Sequence, residues 1–140
     1  KNNYDNVVAA LDKVNAKNVK VYPYYKEMED LVHASDFAIA RSGSSSISEF
    51  LVANLPALFV PYPYATDDHQ YYNAKDIVDK DAAYLLREES LDKNKILSIM
   101  KNVFNDGDRL KEMRTNIKSL VPNRAAVEIV DSVIAALHVQ

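Results

Sequence analysis

The stretch Arg41-Ser42-Gly43-Ser44-Ser45-Ser46-Ile47-Ser48-Glu49 holds the densest set of residues that could do chemistry. One glycine, a run of serines and then apolar residues at helical spacing would give a tight turn, hydroxyl donors and the unpaired amides of a helix start. Together those make a seat for a diphosphate. The same letters admit a structural reading, because Ser46-Ile47-Ser48-Glu49 fits the S-x-x-E capping box, in which Glu49 only satisfies backbone N–H groups. In the functional reading Glu49, one turn into the helix, accepts both hydrogen bonds of a ribose diol. The sequence by itself leaves both open.

A second cluster runs from Pro61 to Ala74 and puts Asp67, Asp68, His69, Gln70 and Asn73 beside Tyr62, Tyr64, Tyr71 and Tyr72. Mixed donors and acceptors next to rings suit a sugar, whose hydroxyls need polar partners while its ring face packs on apolar surface. The competing reading is a helix N-terminus with Thr66 or Asp67 as its cap and the tyrosines as packing. A divalent metal on Asp67, Asp68 and His69 is disfavoured, since these neighbours point in different directions from a helix start. His33, between Val32 and Ala34, reads as structural or solvent-facing, and His138 falls in a terminal turn.

Alternating elements must position these clusters. Helical spacing predicts a helix over Tyr4 to Lys17, and β-branched and aromatic residues predict a strand over Val19 to Tyr24. A helix over Glu27 to Ala34, a strand over Phe37 to Ala40, a helix over Ser44 to Ala53 and a strand over Ala57 to Val60 follow. Asn54-Leu55-Pro56 stops the third helix, with Asn54 suited to a left-handed cap. A loop to about Asp68, a helix over Gln70 to Lys80 and a strand over Ala83 to Leu86 complete the alternation. Three amphipathic helices close the chain, over Lys93 to Phe104, Asp108 to Leu120 and Arg124 to Leu137, separated by Asp106-Gly107 and Val121-Pro122-Asn123. Strands alternating with helices, apolar throughout rather than every second residue, predict a Rossmann-like α/β fold with a doubly wound parallel sheet. In such a sheet ligands sit outside the carboxyl ends of the strands, which selects the loops at Tyr24-Tyr25-Lys26, Arg41 to Ser46 and Pro61 to Gln70.

Composition narrows the chemistry further. The 140 residues are 48% hydrophobic and 26% charged, which suits one folded domain or the larger part of one. With no cysteine, disulfides, thiolate nucleophiles and sulfur-ligated zinc are excluded. With only Gly43 and Gly107, neither G-x-G-x-x-G nor G-x-x-x-x-G-K-[ST] can be written, so a phosphate would bind by another device. A net charge of −3 without a basic stripe gives no expectation of nucleic acid. No apolar run approaches the roughly 18 to 20 residues of a membrane span, and no signal peptide opens the sequence. Lys1 in first place, rather than Met, suggests a piece of a longer protein.

Taken in order and spacing, a strand followed by RSGSSSISE, then LPALFVPYP, then DHQYYNA resembles the C-terminal domain of the MurG family, bacterial peptidoglycan N-acetylglucosaminyltransferases of two-domain GT-B fold. The likeness is close over Val19 to Leu86. It implies a donor site for UDP-N-acetylglucosamine, whose sugar passes with inversion to lipid I to give lipid II and UDP. By that resemblance Arg41, Ser42 and Gly43 form the loop beneath the donor, Ser44, Ser45 and Ser46 open the helix facing the diphosphate, and Glu49 holds the ribose. The turn at Tyr25 reads the uracil edge, and Gln70 and Asn73 reach the sugar hydroxyls. Asp68 and His69 depart from members with a basic residue or Gln there, and His69 is kept among the candidate donor contacts. No metal or cofactor is implied.

The resemblance also implies that residues 1–140 are one partial C-terminal domain, inactive alone. The acceptor site, the general base and membrane contact would lie in an absent N-terminal domain, and the full-length protein would be cytoplasmic and peripheral on the inner face of the cell membrane. The domain would lack its first strands at the sheet centre, so the strand over Val19 to Tyr24 would pair abnormally, dimerise or stand apart. A UDP-GlcNAc 2-epimerase-like enzyme would use a similar nucleotide cradle. A receiver-type regulatory module would need acids after the first strand, where Tyr24-Tyr25 stand.

Overall fold

Three short apolar runs, each bounded by polar residues or proline, become the sheet. The computed structural model describes residues 2–105, 107–121 and 125–137. Asp106, Pro122, Asn123, Arg124 and His138 lie outside them. The chain divides into two units, Lys1–Leu31 and Val32–Gln140.

In the first unit, helix α1 (Asn2–Lys13) ends four residues before the expected Lys17. Asn15 takes a left-handed φ of 51°, Ala16 N–H donates to Leu11 O and Asn15 N–H to Asp12 O. That pair of bonds is the Schellman closure of a helix. The predicted strand over Val19 to Tyr24 does not form: no ladder engages it, and Val19, Tyr22 and Tyr24 are exposed. Strand-forming side chains supply no partner for the backbone, and Pro23 removes one donor. Helix α2 (Met28–Ala34) follows, and the division between the units falls within it, after Leu31.

The second unit contains a parallel sheet of three strands in the order β1 (Ala38–Ala40), β2 (Ala57–Phe59), β3 (Ala83–Leu85). Ala38 lies opposite Ala57, and Ala57 opposite Ala83. Between the strands run α3 (Ser44–Val52) and α4 (His69–Val78); α5 (Lys93–Asn105), α6 (Arg109–Leu120) and α7 (Ala125–Leu137) follow. Ala57 and Phe59 face α3 and α4, with Ile47, Phe50 and Ala74 in the same cluster and Phe50 stacked on Phe59 at 6.1 Å. Leu58 points to the opposite face, because successive strand residues alternate. On that side Phe37 meets Tyr84 and Phe104 edge-on. Helices therefore cover both faces, as a doubly wound sheet requires.

Two further helices end like α1. Asn54 (φ 53°) closes α3 with Leu55 N–H on Phe50 O, as expected of its left-handed cap, and Asp81 (φ 56°) closes α4 with Ala82 N–H on Ile77 O. A chain with only two glycines thus places Asn or Asp where glycine is commonest. The expected apolar face of α7 is not buried: Val127, Val130 and Ile134 are all exposed.

Asp81 also carries an ion pair. Arg109 donates to both of its oxygens, at 2.6 and 2.8 Å, and to the Tyr84 hydroxyl at 3.0 Å. These hydrogen bonds hold the Asp81 carboxyl below its ordinary 3.8; partial burial opposes them and the Arg109 charge assists. A folded value below the unfolded one stabilises the fold above the unfolded pKa, and that contribution fades as pH falls through the folded value. Asp81→Asn, which keeps a side chain tolerant of left-handed backbone, should therefore be less stable than the parent near neutral pH, by a margin that narrows as pH falls below the ordinary carboxylate value. Urea midpoints near neutral pH and in acid check this. A gap that stays as wide in acid would mean the carboxylate charge is not its source.

Candidate functional site

The loops that leave β1, β2 and β3 gather at one end of the sheet, because all three strands run the same way. The first begins at Arg41. Its Nη1 donates to Val60 O at 3.2 Å and Pro61 O at 2.8 Å, its Nη2 pairs with Glu88 Oε2 at 2.5 Å, and its guanidinium lies 5.6 Å from the Tyr62 ring centre. Arg41 is thus at the expected loop, with its charge spent on joining that loop to the other two.

Ser42 is fully buried, and its Oγ has no hydrogen-bond partner among the described residues. Gly43 is the N-cap of α3, with φ −64° and ψ 146°. This is ordinary extended backbone, so the expected tight turn is replaced by a conformation open to any residue. A Cβ built on Gly43 would meet no heavy atom within 4 Å. The missing side chain leaves open space rather than relieving a clash.

Helix α3 begins without a side-chain cap. Its first internal bond is Ile47 N–H to Gly43 O at 3.0 Å. The amides of Ser44, Ser45 and Ser46 precede it and have no carbonyl four residues back within the helix. The first turn holds no acidic residue, so the positive end of the helix faces no protein carboxylate of its own. The capping box is not formed: Ser46 is the third helical residue rather than the cap. Glu49 is exposed, and its carboxylate makes no hydrogen bond or ion pair among the described residues. Ser45 and Glu49 are four apart and share a helix face.

The second loop is bent by two consecutive left-handed residues, Asp67 (φ 51°) and Asp68 (φ 53°). Asp68, not Thr66 or Asp67, is the N-cap of α4, and its carboxylate does not cap the helix. It goes instead to Arg87, whose nitrogens reach its two oxygens at 2.5 and 3.3 Å while the guanidinium covers the Tyr71 ring at 3.9 Å. Gln70 Oε1 accepts from Tyr62 N–H at 3.0 Å, which leaves the Gln70 amide donors for other work. His69 Nδ1 lies 2.8 Å from Thr66 O. A carbonyl only accepts, so Nδ1 carries a proton and Nε2 is the ring nitrogen left for another partner. Asn73, half-buried, stands three residues from Gln70 and four from His69, on one face of α4.

The structure therefore brings Arg41, Ser42, Gly43, Ser44, Ser45, Glu49, His69, Gln70 and Asn73 into the two loops and helix starts at the carboxyl end of the sheet. Tyr25 belongs to the first unit, where its ring meets Tyr22 at 4.9 Å. Among the described residues no group of three or more His, Asp or Glu could hold a metal ion, and no helix is long and apolar enough to cross a membrane. Arg87 and Glu88 were not anticipated. The rule that selected the other loops would have reached them, had it been applied to the strand at Ala83–Leu85 as well.

Similarity to known proteins fits this geometry. Residues 1–129 match the family model "Glycosyltransferase family 28 C-terminal domain". The chain is 36% identical over 112 residues to a protein of Sulfurovum sp. (strain NBC37-1), covering 80% of this chain and 31% of the relative. It is 39% identical over 105 residues to one of Aquifex aeolicus (strain VF5), covering 75% and 30%. Both are named UDP-N-acetylglucosamine--N-acetylmuramyl-(pentapeptide) pyrophosphoryl-undecaprenol N-acetylglucosamine transferase. The crystal structure of Acinetobacter baumannii MurG superposes with a TM-score of 0.73 at 27% identity, over 89% of this chain and 37% of that one. The chain thus spans about a third of the length of the relatives it matches. A parallel sheet with an uncapped helix start at its carboxyl end, together with a family match over residues 1–129, places the chain in glycosyltransferase family 28, as a C-terminal domain.

Proposed function

We propose that this chain is the donor-binding part of an inverting N-acetylglucosaminyltransferase that takes UDP-N-acetylglucosamine and converts lipid I to lipid II in peptidoglycan synthesis. The observation that carries the proposal is the start of α3, which has no side-chain cap, open space at Gly43 and an unengaged Glu49 one turn on. The amides of Ser44 and Ser45 supply donors for the diphosphate, Ser42 lies beneath them in the loop, and Glu49 supplies the acceptor for the ribose diol. His69, Gln70 and Asn73 offer the sugar a mixed set of donors and acceptors.

The chemistry follows from where charge develops. As the bond between the anomeric carbon and the diphosphate oxygen breaks, negative charge gathers on the leaving diphosphate. Amides and a helix dipole already fixed there stabilise it without reorganising. The acceptor hydroxyl forms the new bond on the opposite face, and its proton passes to a base that we place in the remainder of the longer protein. Acceptor recognition and contact with the inner face of the cell membrane belong to that remainder too, with the whole enzyme cytoplasmic and residues 1–140 a partial domain inactive alone.

Calorimetric titration of the chain with UDP and with UDP-N-acetylglucosamine, each with and without EDTA, tests the reading. Binding of both, undiminished by the chelator, is the expected outcome. Failure of either nucleotide to bind would overturn the donor-site assignment.

A further inference from the structure

At the carboxyl end of β3 two neighbours of opposite charge reach two different loops. Glu88 holds Arg41, which itself grips the carbonyls of Val60 and Pro61. Arg87 holds Asp68 through both carboxylate oxygens. Each guanidinium also covers a tyrosine, Arg41 that of Tyr62 and Arg87 that of Tyr71. The loop from Pro61 to Gln70 is thereby fastened at its start and near its end, and Gln70 ties the two together through Tyr62 N–H.

That loop needs fastening. Two successive left-handed residues, Asp67 and Asp68, are costly, and such backbone persists only where the surroundings over-determine it. Global stability is not the natural explanation for the ion pairs, because their side chains are 35% to 47% exposed. Pairs that wet contribute little to the folding equilibrium. What they fix is local: where α4 begins, and so where His69, Gln70 and Asn73 stand.

We propose that Arg87 and Glu88 are positioning residues of the sugar-nucleotide site, holding the Pro61–Gln70 loop in the strained form that aims the sugar-facing side chains of α4. The proposal rests on the donor-site reading, and its test separates the two. Backbone NMR of the unliganded chain gives the exchange rate of the Tyr62 amide, whose bond to Gln70 reports the loop. In Arg87→Gln, Asp68→Asn and Glu88→Gln that rate should rise about 5- to 10-fold while the β2 amides hold their rates. The Arg87→Gln/Asp68→Asn double variant should match either single one, as expected of two partners in one interaction. In titrations the same variants should lose about 5- to 10-fold in affinity for UDP-N-acetylglucosamine and stay within about two-fold for UDP. Unchanged Tyr62 exchange, additive effects in the double variant, equal acceleration of the β2 amides, or tighter nucleotide binding by Glu88→Gln would each overturn it. If the parent chain binds neither nucleotide, the donor-site reading fails and the exchange rates alone decide on the ties.

Discussion

Glu49→Ala is expected to weaken binding of UDP by roughly 30- to 100-fold, about 2 to 3 kcal/mol, without weakening the fold. The size follows from what a carboxylate does for a ribose diol: it accepts two charge-assisted hydrogen bonds that no neighbouring group of α3 can replace. The unchanged fold follows from position. Glu49 is exposed, sits well inside α3 and engages no other side chain among the described residues, and alanine is the better helix former. A capping glutamate would behave in the opposite way, with a lower melting temperature and an unaltered nucleotide affinity. A second ligand sharpens the comparison. Dideoxy-UDP, which lacks the diol, should bind the parent and Glu49→Ala equally. If it too binds the variant more weakly, the carboxylate acts elsewhere than on the ribose.

The three strands were legible because parallel strands covered on both faces need apolar residues at every position, and such runs are short and sharply bounded here, as at Ala57 to Val60 between Pro56 and Pro61. Val19 to Tyr24 has the same character yet forms no strand, since residue types set a preference and only a neighbouring backbone completes a ladder. The end of α3 was readable at Asn54, with a proline two residues on. The end of α1 at Lys13 was not, because Val14 continues the apolar spacing beyond it.

The start of α3 at Ser44 was legible, and what the spacing left open was the capping box. Burial of Ile47 and Phe50 fixes the helix with Gly43 as its cap, which puts Ser46 inside the first turn and dissolves the box. Nor could the pattern show that Arg41 would turn to Glu88, or Asp68 to Arg87. Those pairs span loops that become neighbours only when the sheet is assembled, and neither spacing nor periodicity encodes them.

Gly43→Ala should separate stability from binding most cleanly. At φ −64° and ψ 146° the backbone suits alanine, and the new methyl would meet no heavy atom within 4 Å beyond its own chain neighbours. Replacing glycine where no strain results stabilises by about 0.4 to 1 kcal/mol, chiefly by narrowing the unfolded ensemble, and alanine's poorer fit at an N-cap offsets a similar amount. Chemical denaturation should therefore show a protein within about 0.5 kcal/mol of the parent. The space the methyl enters lies at the cap of α3, which on the proposed donor-site reading is the approach of the phosphates to the amides of Ser44 and Ser45. Binding of UDP should fall by about 10- to 100-fold, the cost of losing one or two hydrogen bonds to a charged group. Uridine, with no phosphate, should bind the two proteins alike, which puts the loss at the diphosphate and not at the base or ribose. A folded variant that keeps the parent's affinity for UDP would mean that the phosphates do not pass Gly43, and the start of α3 would then be an uncapped helix end and nothing more.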